Sequence, residues 1–190
     1  MDIADTWIDF EGWLERNCRE LAGTLRPGAS PEQIAALESE RGHELPGDFK
    51  RIYRVHDGQE EESPGLFDAL ELLSLAGILR EWKWHGEFIA TRDMDKMNSG
   101  VEAAPEITSV YWKSSWIPFA RHGSGFHYCV DLGPTQSGTP GQVIAMWPTP
   151  PERSVLGRSP EAWFREYVRK VLAGEYEYSE DELGLVEIED

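Results

Sequence analysis

The chain has 190 residues, 40% of them apolar and eight of them tryptophan, which is ample for one packed domain. Its formal charge of −17 is opposite to the basic balance of a phosphate-binding surface, which argues against nucleic acid as a partner and favours basic proteins. No apolar run approaches the roughly 18 residues of a membrane span, residues 1–5 lack the basic and apolar regions of a secretory signal, and Cys18 and Cys129 are too isolated to form a disulfide framework. A cytoplasmic setting is the expectation.

Ile3, Trp7, Phe10, Leu14, Cys18 and Leu21 recur in steps of three and four, which predicts an amphipathic helix over residues 3–22. Ser30, Pro31 and Gln33 form a capping box with proline at the first helical position. The second helix therefore starts there, presents Ile34 and Leu37, and ends near Gly42. Leu45, Phe49, Ile52 and Tyr53 mark a third helix, with Gly58 expected as its left-handed cap. Glu60, Glu61 and Glu62 follow in a polar loop closed by Ser63, Pro64 and Gly65. Residues 70–73 suggest a short strand, and Ser74 caps a fourth helix carrying Ile78, Trp82 and Phe88 through about Thr91. Residues 92–105 lack periodicity and are expected to form a loop.

Three runs of β-branched and aromatic residues come next: 116–120, 126–132 and 142–147. The Gly-, Ser- and Pro-rich segments between them predict an antiparallel meander, around which the helices pack. Pro148, Pro150 and Pro151 are expected to end the pairing. Ser159 and Pro160 open a last helix with Phe164, Val168, Val171 and Leu172 on one face, closed by Gly174. Residues 175–190 hold eight acidic residues and no Lys or Arg, and are read as an acidic tail. The organisation expected is thus a helix over 1–24 packed on a domain over 25–174, followed by that tail.

The meander holds tempting chemistry. His122, Ser124, His127 and Asp131 suggest a nucleophile triad, but the Gly-x-Ser-x-Gly elbow is absent and a strand, not a helix, follows Ser124. His127 and Asp131 stand four residues apart on a strand, about 13 Å. A hairpin loop explains the segment better. His122 and His127, with His85 or Asp131, lack the tight spacing of a zinc site. Asp93 and Asp95 lack the remaining oxygens of a calcium loop. Cys129 reads as a core thiol. Trp7, Trp82, Trp116, Trp147 and Trp163 are explained by packing, leaving Trp13, Trp84 and Trp112 as candidate exposed aromatics, which more often mark a protein interface than a sugar site.

The residues 116–120, Gly123-Ser124-Gly125, 128–132 and Gly138-x-x-Gly141-Gln142-Val143-Ile144 resemble the signature block of the SUKH superfamily, whose best-known branch is the Smi/Knr-type cell-wall-assembly regulators. Upstream, Pro27 to Ile34, Leu45-Pro46-x-Asp48-Phe49 and Tyr53-x-x-His56-Asp57-Gly58-Gln59 fit the same pattern. Phe126 departs from it, standing where relatives place a small polar residue. The resemblance implies an α+β fold, an antiparallel sheet wrapped by N- and C-terminal helices. It also implies a non-enzymatic role: bacterial members act as immunity proteins that neutralise toxins, and fungal members as hubs in wall synthesis. No catalytic residue, cofactor or metal is carried over. The expected partner is a protein, foremost a basic, nuclease-type toxin domain, with a wall-assembly scaffold as the alternative and a glycan- or small-molecule-binding domain or hydrolase behind both. Asp57, Glu60, Glu61 and Glu62 are the candidate charged contacts, and Trp84 and Trp112 the candidate aromatic anchors.

Overall fold

The computed structural model describes residues 2–188. In chain order its elements are α1 (Ile3–Asn17), α2 (Arg19–Ala22), α3 (Pro31–Arg41), α4 (Gly47–Val55), β1 (Glu71–Leu72), α5 (Leu75–Ala90), α6 (Met94–Asn98), β2 (Glu102–Ala103), β3 (Trp116–Arg121), β4 (His127–Asp131), β5 (Gln142–Pro148), β6 (Pro151–Gly157), α7 (Pro160–Leu172), β7 (Tyr176–Ser179) and β8 (Gly184–Glu187). Six strands form one sheet in the order β1-β3-β4-β5-β6-β2, and β7 and β8 pair separately. The fold is α+β, as the sequence implied.

The start signals are used as read. Ser30 Oγ accepts from the Gln33 amide while Gln33 Oε1 accepts from the Ser30 amide, and Gly42 ends α3 at φ +70°. Ser74 and Ser159 cap α5 and α7 through the amides of Gly77 and Ala162. The meander β3-β4-β5 is antiparallel throughout. Alternation along it sends Ile117, Tyr128, Val130, Val143 and Ala145 into the main core with α1, α4 and α7. Trp116, Cys129, Ile144 and Met146 face the opposite way, into a smaller cluster with Ile107 and Trp112, against which Trp82 and Ile89 of α5 pack. Both faces are therefore buried.

Several expectations are corrected. The first helix breaks at Cys18, whose φ of −147° separates α1 from α2. The aperiodic stretch after Arg92 contains α6, capped by Asp93, and β2, which pairs parallel to β6 and makes the sheet mixed. The prolines near 150 do not end pairing: β5 runs to Pro148, which faces Pro151 across a two-residue turn, and β6 continues the sheet. Their missing N–H groups lie at the turn, where the ladder needs none. The acidic segment after Gly174 is a hairpin whose Tyr176 and Leu185 are buried, and Gly184 approaches Gly65 closely enough to bridge to it.

Two arginines were missed as structural residues. Arg41 donates to the carbonyls of Ser114 and Trp116, and Arg153 to those of Tyr111, Glu152 and Trp147. Both are buried, and both satisfy main-chain acceptors of the irregular segment that leads into the sheet. Phe126 stacks on Trp147 with ring centroids 3.6 Å apart and meets Tyr128 edge-on, so an apolar ring here covers the end of the hairpin.

Gly58 does not cap α4, which closes at His56 in extended conformation. Its φ of +73° instead lets the chain pass against β1 and α5; a Cβ there would stand 2.4–2.6 Å from the Leu73 and Ser74 backbone. At Gly42 the φ is similar but the space is open. We expect Gly42→Ala to cost about 1 kcal/mol, the left-handed penalty alone. Gly58→Ala should cost at least about twice that, since backbone must move. Urea denaturation of the two variants checks the ordering.

Candidate functional site

A cleft of about 860 Å³ opens between α5, the β3-β4 hairpin, the loop after Gln59 and the β7-β8 turn. Helical spacing puts Glu81, Trp84 and His85 of α5 along it. Arg121 ends β3 and His127 begins β4, so the hairpin turn brings both to the same wall. Glu62, Glu71 and Glu182 complete an acidic lining, in which Arg121 is the one Lys or Arg.

The polar groups are tightly connected. Arg121 donates to Glu81 Oε1 at 2.6 Å and lies 3.6 Å from Glu71. The other oxygen of Glu81 stands 3.3 Å from His127 Nε2. His127 Nδ1 lies 2.8 Å from the Gly125 carbonyl, which can only accept, so Nδ1 carries a hydrogen. His85 stacks on Trp112 with centroids 3.9 Å apart and an interplanar angle of 12°, and meets His127 edge-on at 5.0 Å. It is 3% exposed, and neither ring nitrogen has a hydrogen-bond partner. One donor atom from each of Glu81, His85 and His127 lies within 4.8 Å of the others, the sole such grouping of His, Cys, Asp or Glu among the described residues.

Charge states follow from this packing. Burial first, and His127 second, pull the His85 imidazole down to about 3, although Glu81 opposes them. Burial alone would raise Glu81, but its contacts with His127 and Arg121 outweigh that and hold the carboxyl down at about 2. At neutral pH the site thus holds an ionised Glu81 beside a neutral His85.

The candidate residues from the sequence divide. Trp84 is 53% exposed on the cleft, stacked on Phe88. Glu62 lines the cleft; Glu60 and Glu61 are exposed beside it, reached by Arg26 and Arg80. Asp57 and Trp112 are corrected: they present no surface to a partner. Asp57 is buried because its carboxylate accepts from the Leu75 amide at the start of α5, and Trp112 is buried as the plate under His85. The triad temptation dissolves too. His122 and Ser124 contact each other within the hairpin loop, while Asp131 accepts from Gly133 and Gln142. Burial pushes the Cys129 thiol up, which suits a core residue. Sequence reasoning missed Glu81 altogether; its one signal was the four-residue step to His85 on a predicted helix.

A family model, SMI1 / KNR4 family (SUKH-1), matches residues 28–166, which include α5 and the whole meander. The chain belongs to the SMI1/KNR4 family. It is 27% identical over 169 residues to the cell wall biosynthesis/cell cycle regulator smi1 of Schizosaccharomyces pombe, covering 83% of this chain and 34% of that protein. The glucan synthesis regulatory protein of Neurospora crassa is 26% identical over 191 residues, covering 83% and 36%. Human F-box only protein 3 is 23% identical over 188 residues, covering 95% and 37%. The chain therefore spans about a third of the length of these relatives. The SMI1/KNR4 relatives are named as regulators, and none of the helices of this chain, among the described residues, is long and apolar enough to cross a membrane.

In metal-free buffer, the unfolded chain protonates His85 near 6.5 whereas the folded chain resists until about 3. Unfolding thus takes up a proton in that window, and stability present above pH 6.5 is lost as pH falls. His85→Phe keeps the stack on Trp112 and removes the titration. Between pH 6.5 and 4.5 the native chain should lose about 2 kcal/mol more stability than this variant, measured by urea denaturation at each pH.

Proposed function

We propose that this chain is a non-enzymatic protein-binding module whose cleft receives a basic segment of a partner protein. The observation that carries this reading is the cleft's charge: Glu62, Glu71, Glu81 and Glu182 line it, and its single guanidinium is already engaged by Glu71 and Glu81. An exposed Trp84 on the rim supplies the flat apolar surface on which an arginine or lysine stem packs. Glu60 and Glu61 extend the negative field outward. The field accelerates encounter and selects for sign, while the aromatic contact supplies most of the affinity.

In the finer reading the partner is a toxin domain in the same cytoplasm, a nuclease whose cationic substrate surface this acidic face covers. Inhibition is by occlusion, so no catalytic residue is required. The second reading is a regulator of wall assembly or signalling. It is favoured by the names of the fungal relatives, two of which are regulators of cell wall or glucan synthesis. Both readings use the same surface and differ in what enters it.

Capture from the protein's own cell at low salt tests this. A stoichiometric basic partner is expected, released as salt rises to about 0.5 M because exposed charge pairs are screened. Trp84→Ala should weaken the complex by about 30-fold, and Glu62→Lys should slow association. Recovery of a nuclease-type domain supports the immunity reading, and recovery of wall-synthesis or signalling proteins supports the second. If no stoichiometric partner is recovered, or the complex is indifferent to salt and to Trp84, the reading fails.

A further inference from the structure

One group in the cleft wall, His85, has hydrogen-bonding needs that the protein leaves unmet, and ligand atoms of His127 and Glu81 stand beside it. His127 spends its ring N–H on the Gly125 carbonyl at 2.8 Å. Its Nε2 stands 3.3 Å from Glu81 Oε2, a contact that a hydrogen on Nε2 closes and that a cation between the two atoms would replace. His85, beside them, is 3% exposed with both ring nitrogens unpartnered. A buried unpartnered polar group costs about 1–3 kcal/mol, and this one is held in place by a face-to-face stack on Trp112. Three donor atoms, two imidazole nitrogens and a carboxylate oxygen, thus converge within 4.8 Å.

We propose that Glu81, His85 and His127 form a binding site for a divalent first-row transition metal, with zinc as the representative ion. Two histidines and one carboxylate are a ligand set that such ions accept with one coordination position left open. The surroundings supply what a metal site needs beyond its ligands. The Gly125 carbonyl fixes the tautomer that frees His127 Nε2, and Arg121 holds the other Glu81 oxygen at 2.6 Å, leaving Oε2 to bind alone. Trp112 sets the plane of the His85 ring. Ligand atoms around a tetrahedral ion stand about 3.3–3.5 Å apart given metal–ligand bonds of about 2.0–2.2 Å, so closure from 4.8 Å needs side-chain adjustments of about an ångström or less. The open position faces the cleft, where a donor atom of an entering partner completes the coordination. The site stands on its own geometry and does not depend on which partner enters.

The test uses the isolated full chain, stripped with a chelator and titrated with Zn²⁺ by calorimetry and with Co²⁺ by visible absorption. One equivalent of Zn²⁺ should bind at about 1 µM or tighter, and Co²⁺ should develop the intense d–d bands of a four-coordinate site. His85→Phe, which preserves the stack on Trp112, should weaken Zn²⁺ binding at least about 100-fold. Should that variant fail to fold, His127→Gln serves in its place with the same expectation. His122→Ala, which removes an exposed histidine of the same cleft, should leave affinity unchanged. Zn²⁺ should also raise the melting temperature of the native chain and of the His122 variant but not of the His85 variant. Absence of one-to-one binding, equal affinity in the His85 variant, or loss on removal of His122 overturns the proposal. Each of these results is independent of partner capture.

Discussion

Phe67 is the contact on which the rest of the fold depends. It belongs to no helix or strand, yet its ring packs against Phe10 of α1 and against Trp163, Phe164 and Tyr167 of α7, with centroids 4.9–6.2 Å apart. The first and last helices of the chain thus meet on one side chain in the middle of the sequence. Such aromatic contacts add roughly 0.5–1.5 kcal/mol each beyond their area. The same loop is tied by polar bonds: Tyr167 donates to the Leu66 carbonyl, and the hydroxyls of Tyr128 and Tyr176 donate to the two oxygens of Asp68. Sheet, helix α7 and the terminal hairpin are all fastened there. Asp68 and Ala69 adopt positive φ so that the chain can fold back, a strain these contacts hold in place.

The far side of that loop is a wall of the cleft, where Gly65 and Ala69 face α5 and the β3-β4 hairpin. Core and cleft are therefore one construction. Whatever holds Phe67 in the aromatic layer also sets the distance between the acidic loop and Trp84. The terminal hairpin takes part, because Gly184 approaches the Gly65 backbone and Leu183 and Glu182 reach the cleft edge.

The cleft wall runs against the economy of the surrounding interior. Glu81, His85 and His127 sit among residues that could have been replaced by apolar side chains of similar volume, commonly at no loss of stability. The pKa values of Glu81 and His85 are displaced, and both ring nitrogens of His85 lack partners. Perturbed, incompletely satisfied groups gathered in a cleft mark a candidate site. The segments of the SMI1/KNR4 relatives that match this chain occupy about a third of longer proteins named as regulators.

The sequence by itself determined the elements whose signals are local. The Ser-Pro caps of α3 and α7, the Ser74 cap of α5 and the alternation of the meander are each written within a few residues, so they are legible without the fold. So was the family, from the order of its motifs. What depended on partners distant in the chain was not legible. Trp112 and Asp57 looked like surface residues because nothing nearby in sequence announces His85 or the Leu75 amide as their neighbours. Strand β6 hid behind prolines whose place at a turn only the pairing reveals, and the acidic tail proved a hairpin because Tyr176 and Leu185 find apolar surface that the sequence does not display. The site shows this most plainly: Glu81 and His85 are one helical turn apart, but His127 joins them only when α5 packs on β3 and the hairpin brings the start of β4 alongside.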